Sequence, residues 1–440
     1  MPASPAAPPR PPDAPPRPAR RPAPGRRRWR RLVPAVGVLC LAAVILSALW
    51  FRTPLGDSDP IHRLARPHAF DLVAWEASQL GGRLPGLMHT LADPPPADSA
   101  LATPDEVAAV RAFFAAVQRW RQAERSGASA DDVAGARAEW QAARPAAEQA
   151  IARALDVLAV REGLTTSVGP ARLLLPPPSF LVGNPPRVLV VSPRDRIEVV
   201  DSVLLDPDLS LADAEALEAE VEGRGLSGLV VTIGGIATYP AIVPLHDDPY
   251  ETLSTIAHEW LHGYLIFRPL GRAYFSSYDA RSLDETVAEL GGRELGRTLA
   301  RAYGYPARPT VPGAAAPSEA APDAPAGFDF RREMRATRLH LDELLAAGQV
   351  DEAEQYLEAR RQVFVAAGYP IRKLNQAYFA FYGSYGDSAA TVSPLNDWVR
   401  QLRADSESLG AFLRRVAEMT KPAEVKAALD EDAAHAAAGS

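Results

Sequence analysis

Asp248-Pro249-Tyr250-Glu251-Thr252-Leu253-Ser254-Thr255-Ile256-Ala257-His258-Glu259-Trp260-Leu261-His262-Gly263-Tyr264-Leu265 is the stretch on which the reading of this chain turns. It opens like a helix, with Asp248 as N-cap, Pro249 at the first helical position and Glu251 placed to complete a capping box. Leu253, Ile256, Ala257, Trp260, Leu261, Tyr264 and Leu265 recur at helical spacing until Pro269 and Gly271 stop the run. Residues four apart share a helix face, so His258 and His262 can address one metal ion while Glu259 stands beside an open coordination position. The competing reading is a core helix whose two histidines bond to backbone.

A catalytic zinc site needs a third protein ligand. In the pattern H-E-x-x-H-x-x-G-x-x-H the later positions are Gly and His, but Leu265 and Arg268 stand there, which excludes the metzincin arrangement. Downstream, Ser282-Leu283-Asp284-Glu285-Thr286-Val287-Ala288-Glu289-Leu290 reads as a second helix with carboxylates four apart. Glu285 lies 23 positions after His262, enough for a loop and a reversal that packs the two helices side by side. Glu285 is then a candidate ligand, although Ser282 and Glu285 also make a capping box and Asp284 is an alternative cap. Glu289 can accept the outward N–H of a ligating imidazole, or simply pair with Arg293 one turn on.

With these motifs quoted, the chain resembles the gluzincin metallopeptidases. The likeness is greatest to a bacterial group of predicted aminopeptidases, whose second motif runs N-E-S/T-x-A followed by an R-E pair. Here that motif reads Asp284-Glu285-Thr286-Val287-Ala288, then Arg293-Glu294, with Asp284 in the usual place of Asn. Leu374-Asn375-Gln376-Ala377 through Tyr385 and Leu395-Asn396-Asp397-Trp398 resemble later segments of the same group. The resemblance implies His258, His262 and Glu285 as ligands of one Zn2+ ion, and Glu259 as general base.

Two imidazoles and one carboxylate leave zinc positively charged, so it lowers the pKa of bound water and polarises a scissile carbonyl. Glu259 can take the proton and deliver it to the departing amine. A further donor to the oxyanion is expected from Tyr382 or Tyr385, in the aromatic run with Tyr378 and Phe381. Tyr385 is preferred because Gly383 and Gly386 flank it, the alternative being that these rings are core.

Upstream of the first motif, Arg187 to Ser192, Ile197 to Leu205 and Leu226 to Ile233 read as strands. Gly234 to Val243 reads as a further strand placed at an edge by Pro240, either able to pair with an extended peptide or forming a plain edge hairpin. His246 reads as a loop residue. Pro104 to Arg125 and Asp131 to Val160 read as an antiparallel helical pair across Ser126-Gly127-Ala128-Ser129. Arg331 to Leu345, Val350 to Ala367 and Leu409 to Met419 are further helices, and Ala433 to Ser440 is expected to fray.

The N-terminus has a different composition. Residues 1 to 31 are rich in Pro, Ala and Arg and carry nine Arg against one Asp, a net +8, so the whole-chain charge of −7 leaves −15 for the rest. An acidic remainder does not bind nucleic acid. Residues 32 to 51 are uncharged and about long enough to span a bilayer, with the basic run favouring the cytoplasmic side. Retention as an anchor is preferred over a cleaved signal peptide, because Ser47-Ala48-Leu49-Trp50 has no clear small-x-small site. Cys40, inside this stretch, is the only cysteine, so the folded part has no disulfide and no thiol chemistry.

The expected protein is therefore α+β and predominantly helical, a zincin-like metallopeptidase domain with a small sheet beside the active-site helix, preceded by one transmembrane helix. Its divisions are a disordered cytoplasmic tail 1–31, an anchor 32–51, a juxtamembrane segment 52–102 and a metallopeptidase domain 103–440 with a flexible insertion 307–327. The expected function is hydrolysis of peptide or protein substrates outside the cytoplasm, aminopeptidase-like, at a bacterial cell membrane reached through the single N-terminal helix. The alternative is a non-catalytic zinc-binding envelope protein acting as scaffold or partner.

Overall fold

A computed structural model describes residues 59–79, 94–168, 171–306, 328–384, 388, 390 and 393–438. It begins with a short helix, α1 (Pro60–Ala65), capped by Asp59, whose Oδ1 accepts from the Ile61 amide at 2.8 Å. After a helical stretch over residues 72–79 come α2 (Pro104–Arg125) and α3 (Ala130–Arg161), packed on one another as the periodicity predicts. The turn between them uses Gly127 at φ 66°, a left-handed position that glycine takes without steric cost. Phe113, Phe114, Val117, Ile151 and Leu155 are buried at this contact and begin the main core.

Seven short strands and the fourth helix follow: β1 (Thr166–Val168), β2 (Ala171–Leu173), β3 (Phe180–Val182), β4 (Arg187–Pro193), β5 (Asp201–Leu205), α4 (Leu211–Glu222), β6 (Leu226–Thr232) and β7 (Ala241–Val243). β4 is central, antiparallel to β5 on one side and β6 on the other. Period-two alternation divides its neighbours between two layers. Leu189, Val191, Val203, Leu205 and Val230 meet α1 and α4, whereas Val188, Val190, Leu229 and Val231 meet a later helical segment around Ala377. The β5 edge is covered by residues 68–70, since Phe70 N donates to Leu204 O at 2.9 Å and Asp206 N to His68 O at 2.8 Å. Such cover removes a free edge.

The main core continues through α5 (Pro249–Leu265), α6 (Pro269–Ala273) and α7 (Tyr278–Ala302). α8 (Phe330–Ala346), α9 (Val350–Ala366) and α10 (Gln376–Tyr382) share a separate core around Met334, Leu341, Leu357, Phe364 and Phe379. α11 (Leu395–Ala404), α12 (Leu409–Val416) and α13 (Pro422–Ala438) return to α7, burying Leu395, Val399, Phe412 and Leu413.

The helical character and the small sheet agree with expectation, but the transmembrane part of the expected fold is corrected. No helix among the described residues is long and apolar enough to cross a membrane, and residues 32–51 lie outside them. The longest described helix, the 32-residue α3, carries charges throughout, from Asp131 and Asp132 to Arg153, Asp156 and Arg161. The structure thus supports neither the single-pass anchor nor the membrane localisation that rested on it. The expected tail 1–31 and insertion 307–327 also lie outside the described residues.

Three smaller differences are physical. The expected strand Gly234 to Val243 narrows to β7, which pairs in parallel with β3, while Ile236 folds back on Ile242 through two backbone bonds of 3.0 and 3.1 Å. Ile197 to Val200 is not strand. Residues 59–79, expected within the juxtamembrane segment, pack against the three-stranded sheet, with Ile61 and Ala65 in its core.

Candidate metal centre

α5 forms where its residues predict. Asp248 Oδ1 accepts from Tyr250 N at 2.9 Å and Pro249 occupies the first turn. Its apolar stripe, from Leu253 to Leu265, is buried in the main core, which turns His258 and His262 toward the facing helix α7, while the Glu259 carboxylate lies against Gly235. α7 approaches closely because its facing residues are small. A Cβ built on Gly292 would stand 2.9 Å from His258 Cα, and one on Gly291 would stand 2.7 Å from Leu261 Cδ1. Gly296 lies against Ser254 in the same way.

α7 begins four residues before the capping box considered above. Ser277 is the N-cap, its hydroxyl accepting from Ala280 N at 3.1 Å, so Glu285 sits inside the helix with its carboxylate released from capping. The structure brings together His258, His262 and Glu285, each offering a ligand atom within 4.8 Å of the others. His258 Nε2 and His262 Nε2 are 3.0 Å apart, and Glu285 Oε2 lies 3.6 and 3.3 Å from them. That Oε2 is buried and has no hydrogen-bond partner. Three donor atoms converging on one point, one of them an orphaned carboxylate oxygen, is the arrangement a cation satisfies.

The supporting contacts are specific. Asp284, 1% exposed, accepts from His262 Nδ1 at 2.6 Å, which fixes the tautomer and leaves Nε2 facing Glu285. Glu289 is bonded to Arg293 Nε, the surface pairing, and its Oε2 lies 3.5 Å from His258 Nδ1 without a hydrogen bond between them. Tyr274, just after α6, donates to Glu285 Oε1 at 2.6 Å, leaving Oε2 for the centre. Its ring is 6.0 Å from that of His262. The sequence reading overlooked Tyr274; the available signal was an aromatic residue in the short reversal between the two motif helices.

The electrostatics follow from burial among carboxylates. Burial disfavours a charged His258, but Glu285 and then Glu289 outweigh it and push the imidazole up to about 9. His262 is raised well above its ordinary value, burial being overcome by Glu285 and Asp284. Against the effect of burial, His262 and His258 hold Glu285 well below the usual carboxylate range, and His258 and Arg293 hold Glu289 at about 2. The excess negative field can be balanced by protons or by a cation. Glu259 differs, because burial raises its pKa and the nearby histidines only partly offset this. A Cβ on Gly235 would overlap the Glu259 carboxylate, so a side chain there would have to displace it.

Tyr385 lies outside the described residues. Tyr382 and Tyr378 pack their rings 4.6 Å apart beside the sheet, the core role weighed as the alternative. His246 accepts or donates at 3.3 Å to Thr255 Oγ1, and does not join the triad. One other cluster among the described residues, Asp59, His62 and Asp201, is already engaged: His62 Nε2 bonds Asp201 Oδ1 at 3.1 Å while Asp59 caps α1.

No protein-family model, curated protein or solved structure matches the chain.

Proposed function

We propose that this chain is a zinc-dependent peptidase, gluzincin-like in its ligand set, in which His258, His262 and Glu285 hold one Zn2+ ion and Glu259 is the general base. The observation that carries the reading is the buried triad itself, with the unpartnered Oε2 of Glu285 completing the two Nε2 atoms. Imidazole and carboxylate donors suit zinc, and three protein ligands leave a coordination position open. Structural zinc is normally closed by four protein ligands, so the donor count favours catalysis over a non-catalytic zinc-binding role.

Zinc, when bound, acts as a Lewis acid that acidifies water and polarises the scissile carbonyl. Glu259 takes the proton of the attacking water as its oxygen bonds to the carbonyl carbon. It passes that proton to the amide nitrogen as the C–N bond breaks. Asp284 and Tyr274 orient His262 and Glu285 through the hydrogen bonds described above.

The test is turnover of a peptide library by the purified protein, before and after chelation and zinc reconstitution. The proposal expects new amino groups only with zinc present, and faster cleavage of peptides with a free amino terminus than of acetylated ones if the action is aminopeptidase-like. One zinc bound per chain with no cleavage would overturn the catalytic reading.

A further inference from the structure

Glu76 belongs to the N-terminal segment, far in sequence from the motif helices, and is only 6% exposed. Its Oε1 accepts from the backbone N–H of Tyr239 at 2.9 Å. Burial raises its pKa, and the Tyr239 bond partly counters this. Among the described residues this buried carboxylate serves one loop amide, and the path from Tyr239 supplies a reason.

Tyr239 closes the turn that begins at Gly235. Within it, Ile236 exchanges two backbone bonds with Ile242, and Thr238 Oγ1 donates to Pro240 O at 2.7 Å. The Tyr239 hydroxyl donates to Pro177 O at 3.0 Å. The neighbouring Pro176 is seated on α5, its carbonyl accepting from Trp260 Nε1 at 2.9 Å and its ring lying against Gly263. The turn is thus fixed at one end by Glu76 and at its side to the helix that carries His258, Glu259 and His262. At its other end Gly235 touches the Glu259 carboxylate. A wall in contact with the catalytic base sets where that base stands.

We infer that Glu76 is a positioning residue for the reaction: by holding the Tyr239 amide, it fixes the Gly235–Pro240 turn against Glu259. The inference rests on the peptidase reading above, so its test keeps the two separable. Releasing the turn lets Glu259 and any substrate along the turn wander, and displacement of about 1 Å is enough to cost on the order of a hundredfold in rate. The zinc ligands stand on α5 and α7 and are untouched.

The experiment compares Glu76→Ala and Glu76→Gln in the full chain by zinc content, kcat and KM for a cleaved peptide, and hydrogen exchange of the Ile236 and Tyr239 amides. Glu76→Ala is expected to keep one zinc, lose about tenfold or more in kcat with little change in KM, and exchange both amides faster. Glu76→Gln retains an acceptor oxygen and is expected to recover most of both readouts. Wild-type kcat in Glu76→Ala, or unchanged exchange at Ile236, would overturn the inference while leaving the peptidase reading intact. A Gln variant no better than Ala would overturn the hydrogen-bond role. If the wild type cleaves nothing, the peptidase reading fails and the catalytic role fails with it.

Discussion

Gly292 and His258 meet with no room for a methyl group: a Cβ on Gly292 would lie 2.9 Å from the N, Cα and Cβ of His258. This contact sets the spacing of the helices that carry the three donors, because Glu285 and Gly292 share α7 while His258 and His262 share α5. Gly292→Ala should push the helices apart. Overpacking of this kind costs about 1–3 kcal/mol. The expected outcome is a lower melting temperature together with weaker zinc binding, read by thermal unfolding and metal titration. A variant as stable and as tightly metallated as wild type would show that the spacing is not critical.

Asp284→Asn tests the orientation of His262. Losing the 2.6 Å contact from His262 Nδ1 to a carboxylate lowers the basicity of Nε2. Zinc affinity is expected to fall about 10- to 100-fold, measured by competition with a chelator of known strength. Glu289→Ala, whose 3.5 Å approach to His258 is longer, should lower it less. A larger loss at Glu289 would reverse the assignment of the two carboxylates.

Tyr274→Phe removes one hydroxyl and leaves the ring. The lost bond goes to a carboxylate, so about 1.5–3 kcal/mol is at stake in orienting Glu285. Zinc binding should weaken by about tenfold or more with the fold preserved, as seen in an unchanged circular dichroism spectrum. Unaltered affinity would mean that α7 alone orients Glu285.

Much of this centre was legible in the sequence, for a physical reason. An apolar stripe at helical spacing places polar exceptions on a known face, so His258, Glu259 and His262 could be put together from α5 alone. The partner helix was harder, since its N-terminus was ambiguous. Ser282 and Glu285 satisfy a capping pattern, but Ser277 makes the cap and Asp284 bonds His262 instead. Tyr274 and Glu76 act through contacts between distant segments, which no local pattern encodes. The narrowing of residues 234–243 to β7 had the same origin, because Gly235 follows the shape of Glu259 rather than a strand ladder.

Asp156 gives a pH prediction away from the centre. It is 7% exposed, its Oδ1 has no hydrogen-bond partner, and burial lifts its pKa to about 8 despite Arg153. A folded-state pKa above the unfolded value means that the folded chain binds the extra proton. The associated stability is complete below about pH 4 and is lost progressively as pH rises to about 8. Asp156→Asn, which mimics the neutral acid, should be less sensitive over that window. Its melting temperature relative to wild type should rise from pH 5 to pH 8 and then level off. Parallel profiles would show that Asp156 ionises normally.

The most direct measurement of the central claim is Glu259→Gln, assayed for zinc content and peptide cleavage beside the wild type. Glu259 faces Gly235 and is not among the three donors, so the isosteric amide should keep one zinc per chain. It cannot accept the water proton, and removal of a general base costs about 10²–10⁴-fold. Full zinc occupancy with cleavage reduced by that factor is the predicted result. Cleavage equal to wild type would contradict the account.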